Sequence, residues 1–268
     1  AIDNGFTRYT AVPGIPDLRK AICQKLKKDN GIEYSAENIC VSTGAKQAIM
    51  NALLTLVDEG DEVIIPIPCW VSYESMVEIA GGAAVTVPTK EDFHLDIPKI
   101  EEKINDKTKA IIINTPNNPT GVVYTKQELE KLAALAIKYD IMIISDEVYE
   151  KLIYEDAKHI SLAALSQDAW EHVITINGVS KSYAMTGWRI GYLAAPKVIA
   201  KKASGLQGHM TSATNSIAQK AALEALTGPQ GSVETMRQEF DKRRQAMYER
   251  LNQIEGITCE NSCGAFYL

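Results

Sequence analysis

The chain has 268 residues, 46% of them hydrophobic and 23% charged, with a formal net charge of −6. That length can bury a sizeable core. The acidic balance argues against a nucleic-acid-binding protein, which needs a basic face, and no apolar run approaches the length of a membrane span. No signal-peptide pattern is read at the start. Cysteines at 23, 40, 69, 259 and 263 form an odd set without a C-x-x-C pair, which suits free thiols in a reducing cytoplasm. Cys259 and Cys263 lack a second ligand pair nearby, so no metal site is expected.

In chain order, helical and strand-like segments alternate. Residues 16–30 predict a helix, with Pro16 in its first turn, Leu18, Ile22 and Leu26 on one face and Gly31 as its stop; the lysines between 20 and 28 read as its solvated side. A short strand follows at 39–42 and a helix at 45–57. Residues 62–65 are β-rich, 71–80 helical up to Gly81-Gly82, 83–87 β-rich and 96–104 a short helix. Residues 109–113 form a continuous apolar run, the signature of a strand buried on both faces. Thr125-x-x-Glu128 is a capping box for a helix reaching to about 139. Further strands are expected at 141–145, 173–176 and 189–194, and long helices at 212–226 and 233–254. The end, Gly264-Ala265-Phe266-Tyr267-Leu268, reads as the middle of a strand, and the chain as cut from a longer protein. This alternation predicts an α/β fold, a mostly parallel central sheet flanked by helices. Residues 1–235 are read as one large domain and 236–268 as a long helix opening a smaller, incomplete α+β domain.

Ligands of open parallel sheets bind at the carboxyl ends of the strands, and here those ends carry polar groups. Gly44-Ala45-Lys46-Gln47 follows the strand at 39–42 and opens a helix. Asn114-Thr115-Pro116-Asn117-Asn118-Pro119-Thr120-Gly121 is a rigid turn with two adjacent amides. Asp146-Glu147-Val148-Tyr149 follows 141–145, and the loop with Lys181 and Arg189 follows 173–176. An amine able to form an imine, an arginine able to grip phosphate and a carboxylate able to pair a ring nitrogen together suit pyridoxal 5'-phosphate. Lys181 supplies the amine and then moves the Cα proton. Asp146 pairs with the pyridine nitrogen, Tyr149 and Asn118 hydrogen-bond the phenolate oxygen, and Trp70 stacks on the ring. Arg189 and the backbone N–H groups of Ala45 and Lys46 hold the phosphate. Lys46 sits in a first helical turn, where a cation opposes the helix dipole; an anionic partner such as a substrate carboxylate explains it.

With those motifs, Tyr9-x-x-x-Pro13-Gly14-Ile15-Pro16-Asp17-Leu18-Arg19 and Pro68-Cys69-Trp70-Val71-Ser72-Tyr73, the sequence resembles the class I/II aminotransferases of fold type I over nearly its whole length, and within them the bacterial aspartate and prephenate aminotransferases. The resemblance implies ping-pong transfer of an amino group between an amino acid, aspartate or glutamate, and a 2-oxo acid, by a homodimer with active sites at the subunit interface. It implies that Lys181 is the Schiff-base lysine, that Tyr9 reaches the partner's cofactor phosphate, and that Lys46, with Trp70 and Asn118, contacts substrate. An N-terminal arm with a substrate-contacting glycine and a C-terminal carboxylate-clamping arginine have no counterpart in these residues, and the resemblance ties turnover to them. A lyase or synthase of the same fold and a non-catalytic cofactor-binding domain are the alternatives. A nicotinamide-dependent dehydrogenase would want a G-x-G-x-x-G, which is absent.

Overall fold

The computed structural model describes residues 1–268. Its elements are α1 (Pro16–Lys25), β1 (Ile39–Ser42), α2 (Gly44–Leu56), β2 (Glu62–Ile67), α3 (Ser72–Ile79), β3 (Ala83–Pro88), α4 (Ile97–Lys103), β4 (Thr108–Asn114), α5 (Lys126–Tyr139), β5 (Met142–Asp146), α6 (Gln167–Glu171), β6 (Val173–Gly178), β7 (Gly191–Ala194), α7 (Lys197–Met210), α8 (Ser216–Thr227) and α9 (Gly231–Leu251). The seven strands form one sheet in the order β1-β7-β6-β5-β4-β2-β3. Only β7 runs against its neighbours, β1 and β6; every other pairing is parallel. No helix is long and apolar enough to cross a membrane.

The apolar strands divide their side chains between two cores. Ile111 and Ile113 of β4 face the core that holds Leu18 and Ile22 of α1, Leu129 and Leu132 of α5 and Ala218 and Ala222 of α8. Ala110 and Ile112 face the other, with Ile49 and Leu53 of α2, Val77 of α3 and Ala200 and Ala203 of α7. Burial on both faces is why the strand reads as an unbroken apolar run. The capping box forms as expected: Thr125 N donates to Glu128 Oε2 at 2.8 Å and Glu128 N to Thr125 Oγ1 at 3.3 Å.

The structure departs from the sequence-based expectations at several points. Helix α7 has no counterpart in the sequence reading, because its buried face is made of Ala200, Ala203 and Gln207 rather than large apolar residues. The helix expected from 212 starts at Ser216, where Asn215 Oδ1 accepts from Ala218 N at 2.8 Å. The strand expected from 189 starts at Gly191, since Arg189 takes a left-handed backbone (φ 54°). The closing apolar residues make a single antiparallel bridge, Ile153 to Gly264, and no strand.

The lysines of α1 are not all solvated either. Lys25 is buried and forms an ion pair with buried Glu150, while Asn30 Nδ2 donates to the other Glu150 oxygen at 2.7 Å. Burial alone pushes the Glu150 carboxyl up, but the charges of Lys25 and His159 and the hydrogen bonds of Lys25 and Asn30 outweigh it and bring it down to about 2. A carboxyl lowered on folding stabilises above its ordinary value, and that stabilisation fades as pH falls toward the folded value. Lys25→Ala, which leaves Glu150 charged and buried, is expected to cost about 3–5 kcal/mol at neutral pH in denaturant melts. Without Lys25 the buried carboxyl takes up its proton at a higher pH than in the wild type, so the deficit should shrink as pH falls toward about 2. A loss that does not vary with pH would mean the ion pair is not its source.

Candidate active site

At the carboxyl ends of β4, β5 and β6 and the start of α2 lies a cavity of about 290 Å³. Asp146, the last residue of β5, forms its floor and is 4% exposed. Its backbone oxygen accepts from Asn114 Nδ2 at 2.8 Å and Thr115 N at 3.1 Å, and Asn114 Oδ1 in turn accepts from Asn118 N at 2.7 Å. One asparagine at the end of β4 thus ties the two neighbouring strand ends to the Asn118 turn.

The Asp146 carboxylate has only neutral hydrogen-bond donors: Tyr73 Oη at 2.8 Å to Oδ2 and Val148 N at 3.2 Å to Oδ1. Burial, helped by nearby Glu147, raises its pKa to about 6 against the pull of those two donors and of Lys181. Burial presses on Tyr73 in the same sense, so its hydroxyl stays protonated and can only donate to the carboxylate.

Lys181, on the loop after β6, is half-buried, its Nζ 5.3 Å from the centre of the Tyr149 ring and 5.2 Å from that of Phe266. Burial lowers its pKa, Asp146 opposes the fall and Arg189 adds to it. The amine is therefore more readily deprotonated than a surface lysine, which nucleophilic work requires.

Arg189 is held across the start of α2. Its Nη1 donates to Thr186 O at 2.8 Å, and its guanidinium lies where a Cβ on Gly44 would stand. Gly44 has φ +82°, a conformation only glycine adopts without strain. A Cβ on Gly191 of β7 would in turn overlap the backbone of Gly44 and Ala45, so the helix end rests directly on the strand. Thr43, the residue before α2, makes no side-chain cap. Uncapped amides and a guanidinium together offer hydrogen-bond donors of the kind an anion takes.

Lys46 Nζ donates to Ser72 Oγ at 3.2 Å and lies 4.7 Å from the centre of the Trp70 ring. Trp70 meets Tyr73 edge-on, with ring centres 5.4 Å apart. Tyr149 is buried, with its hydroxyl 2.9 Å from that of Tyr267.

The structure thus gathers Lys181, Asp146, Tyr149, Asn118, Trp70, Ala45, Lys46 and Arg189 around one cavity, with Gly44 behind Arg189. Tyr9 is not among the lining residues and is 96% exposed. The sequence reading gave no role to Tyr73, Asn114 or Tyr267. Tyr73 stands three residues beyond Trp70 and Asn114 directly precedes the Asn118 turn, so spacing held some signal for both; Tyr267 was absorbed into an expected strand.

Residues 1–268 match the family described as aminotransferase class I and II. An aspartate aminotransferase of Geobacillus stearothermophilus is 47% identical over 270 residues, which take in all of this chain and 69% of that protein. The chain belongs to the class I and II aminotransferases. An aspartate/prephenate aminotransferase of Cereibacter sphaeroides is 45% identical over 271 residues, again all of this chain and 68% of the relative. Among solved structures, the aspartate aminotransferase of Thermus thermophilus with maleate superposes with a TM-score of 0.95 at 41% identity, covering 99% of this chain and 69% of that one. An aromatic aminotransferase from Pyrococcus horikoshii also gives 0.95, at 43% identity, over 98% of this chain and 72% of that one. The seven-stranded sheet flanked by helices is that of fold type I, as expected from the sequence.

Proposed function

We propose that this aminotransferase holds pyridoxal 5'-phosphate in the cavity over Asp146 and moves amino groups between an acidic amino acid, aspartate or glutamate, and a 2-oxo acid. The observation that carries the reading is a buried carboxylate with only neutral donors, facing a cavity that also holds an amine of lowered pKa and an uncapped helix N-terminus beside an arginine. Those groups fit the cofactor's ring nitrogen, aldehyde and phosphate respectively.

The cofactor supplies an aldehyde for the amino group and a protonated ring that accepts the electron pair left on Cα. The chain's residues do the rest. Asp146 would stay ionised opposite the ring nitrogen and keep the proton there, while Tyr73 and the Val148 amide hold the carboxylate in place. Lys181 Nζ would hold the cofactor through its aldehyde carbon, with loss of water, and would carry a proton to and from the substrate Cα. Asn118 and Tyr149 would hydrogen-bond the ring's phenolate oxygen. Arg189 and the amides of Ala45 and Lys46 would anchor the phosphate, and Trp70 would cover one ring face.

Lys46, tethered to Ser72 beside Trp70, places a cation at the rim where a second substrate carboxylate would lie. The names of the relatives, aspartate and aspartate/prephenate aminotransferase, support that substrate class. We assign Tyr9 to the neighbouring copy's phosphate in a homodimer, which accounts for its exposure in the single chain. We also divide the chain into a cofactor domain, 1–235, and the start of a smaller domain, 236–268, with α9 running through the boundary. Five free thiols support a cytoplasmic setting.

Borohydride reduction of the protein with cofactor, followed by peptide mapping, is expected to place the adduct on Lys181, and Lys181→Ala should lose both adduct and turnover. An adduct elsewhere, or retained in the variant, would refute the assignment. Asp146→Asn is expected to weaken cofactor binding and lower kcat/KM by roughly 10²-fold or more. A carboxyl raised by burial takes up its proton early as pH falls, so the affinity gap between wild type and D146N should narrow below about 6, read from cofactor titrations between pH 5 and 8. A gap unchanged across that range would show that the carboxylate's charge is not what the cofactor uses. Lys46→Ala should raise KM for dicarboxylic substrates about tenfold, with little change for aromatic ones. Equal effects on both would remove Lys46 from substrate recognition.

A further inference from the structure

The closing residues of the chain are clamped to the site rather than laid over it loosely. Ala265 N donates to Leu152 O at 2.8 Å, Tyr154 N to Cys263 O at 2.9 Å and Tyr154 Oη to Ala265 O at 2.5 Å. Arg244 of α9, 5% exposed, bonds the Asn261 side chain and the Ser262 carbonyl, and its Nη2 meets Glu155 at 3.0 Å. Residues 261–265 are thereby fixed to the loop at 152–155, a few residues beyond Tyr149. The clamp sets Phe266 edge-on to Tyr149, with ring centres 5.3 Å apart, and puts the Tyr267 hydroxyl into the cavity, 2.9 Å from that of Tyr149.

Two phenols in contact hold two protons. If Tyr149 gives its proton to the cofactor's phenolate oxygen, its own oxygen is left to accept, and Tyr267 is positioned to donate. The run Tyr267 to Tyr149 to ring oxygen uses both protons and leaves no hydroxyl pointing the wrong way. Donors in series polarise one another, so the first strengthens the second. The reverse direction would turn the Tyr149 proton toward Tyr267 and present a lone pair to an anionic oxygen, which repels it.

We propose that Tyr267 is a positioning residue for the cofactor's phenolate oxygen, acting through the Tyr149 hydroxyl. The inference rests on the cofactor reading above. It gives the closing segment of the chain a part in setting the charge state of the bound ring.

The test is the pH midpoint of the visible absorbance change of the cofactor-loaded protein, measured without substrate. Tyr267→Phe removes one oxygen and keeps both the ring and its backbone anchor, where Ser262 Oγ donates to Tyr267 O at 2.6 Å. Losing the polarising donor should raise the midpoint by about 0.2–0.5 pH unit. Tyr149→Phe should raise it further, and adding Tyr267→Phe to that variant should change nothing more. An unchanged midpoint in Tyr267→Phe, or an equal shift with and without Tyr149, would overturn the inference while leaving the Lys181 adduct intact. A wild-type protein that forms no adduct on Lys181 would remove the cofactor reading and this inference together.

Discussion

Three acids follow one another within five residues at the end of β5, all buried, and the site depends on how differently they are compensated. Glu147 is enclosed by Ser145 at 2.9 Å, Ser161 at 2.5 Å and His159 at 3.0 Å. Glu150 is paired with Lys25 and bonded by Asn30. Asp146 alone has only a phenol and an amide, and it alone of the three lines the central cavity. Buried charge is costly unless it is paired. A chain that supplies partners to two acids and withholds a cation from the third leaves a place for a positive group in that cavity.

The side opposite Asp146 is built by contact rather than charge pairing. Gly191 lets α2 rest on β7, and Gly44 lets Arg189 lie against the helix end. Both glycines remove a side chain at a point where backbone and guanidinium occupy the space. The placement of these donors is a property of the packing: a methyl group at either glycine would displace the helix start or the arginine. The turn at Asn118 is held instead to the ends of the adjacent strands β4 and β5, through Asn114.

What could be read from the sequence follows from this arrangement. Strands buried on both faces announce themselves as apolar runs, and the polar residue that ends each run is conspicuous; Asp146 and Asn114 stand at such ends, Lys181 and Arg189 on the loop beyond β6. Tyr73 was not legible as a partner of Asp146, because nothing local records that a side chain of α3 reaches the end of β5. Lys25 misled because it sits at the edge of the apolar stripe of α1, where a lysine is ordinarily solvated; only the tertiary position of Glu150 draws it inward. Helix α7 has no large apolar residue at its fully buried positions, which carry Ala200, Ala203 and Gln207; Gln207 binds Ser42, Asn51 and the Val41 carbonyl.

The compensation pattern also governs the amine. Burial and Arg189 push Lys181 toward its neutral form, while Asp146 is the one neighbour that holds its proton on. The same Coulomb interaction draws Asp146 down. A positive group seated against Asp146 cancels the attraction that keeps Lys181 protonated, and adds a repulsion of its own. The two groups are therefore coupled in the direction the chemistry requires: filling the carboxylate's side of the cavity frees the amine on the other. A ligand cation against Asp146 therefore shifts Lys181 further toward the neutral form in which an amine is nucleophilic.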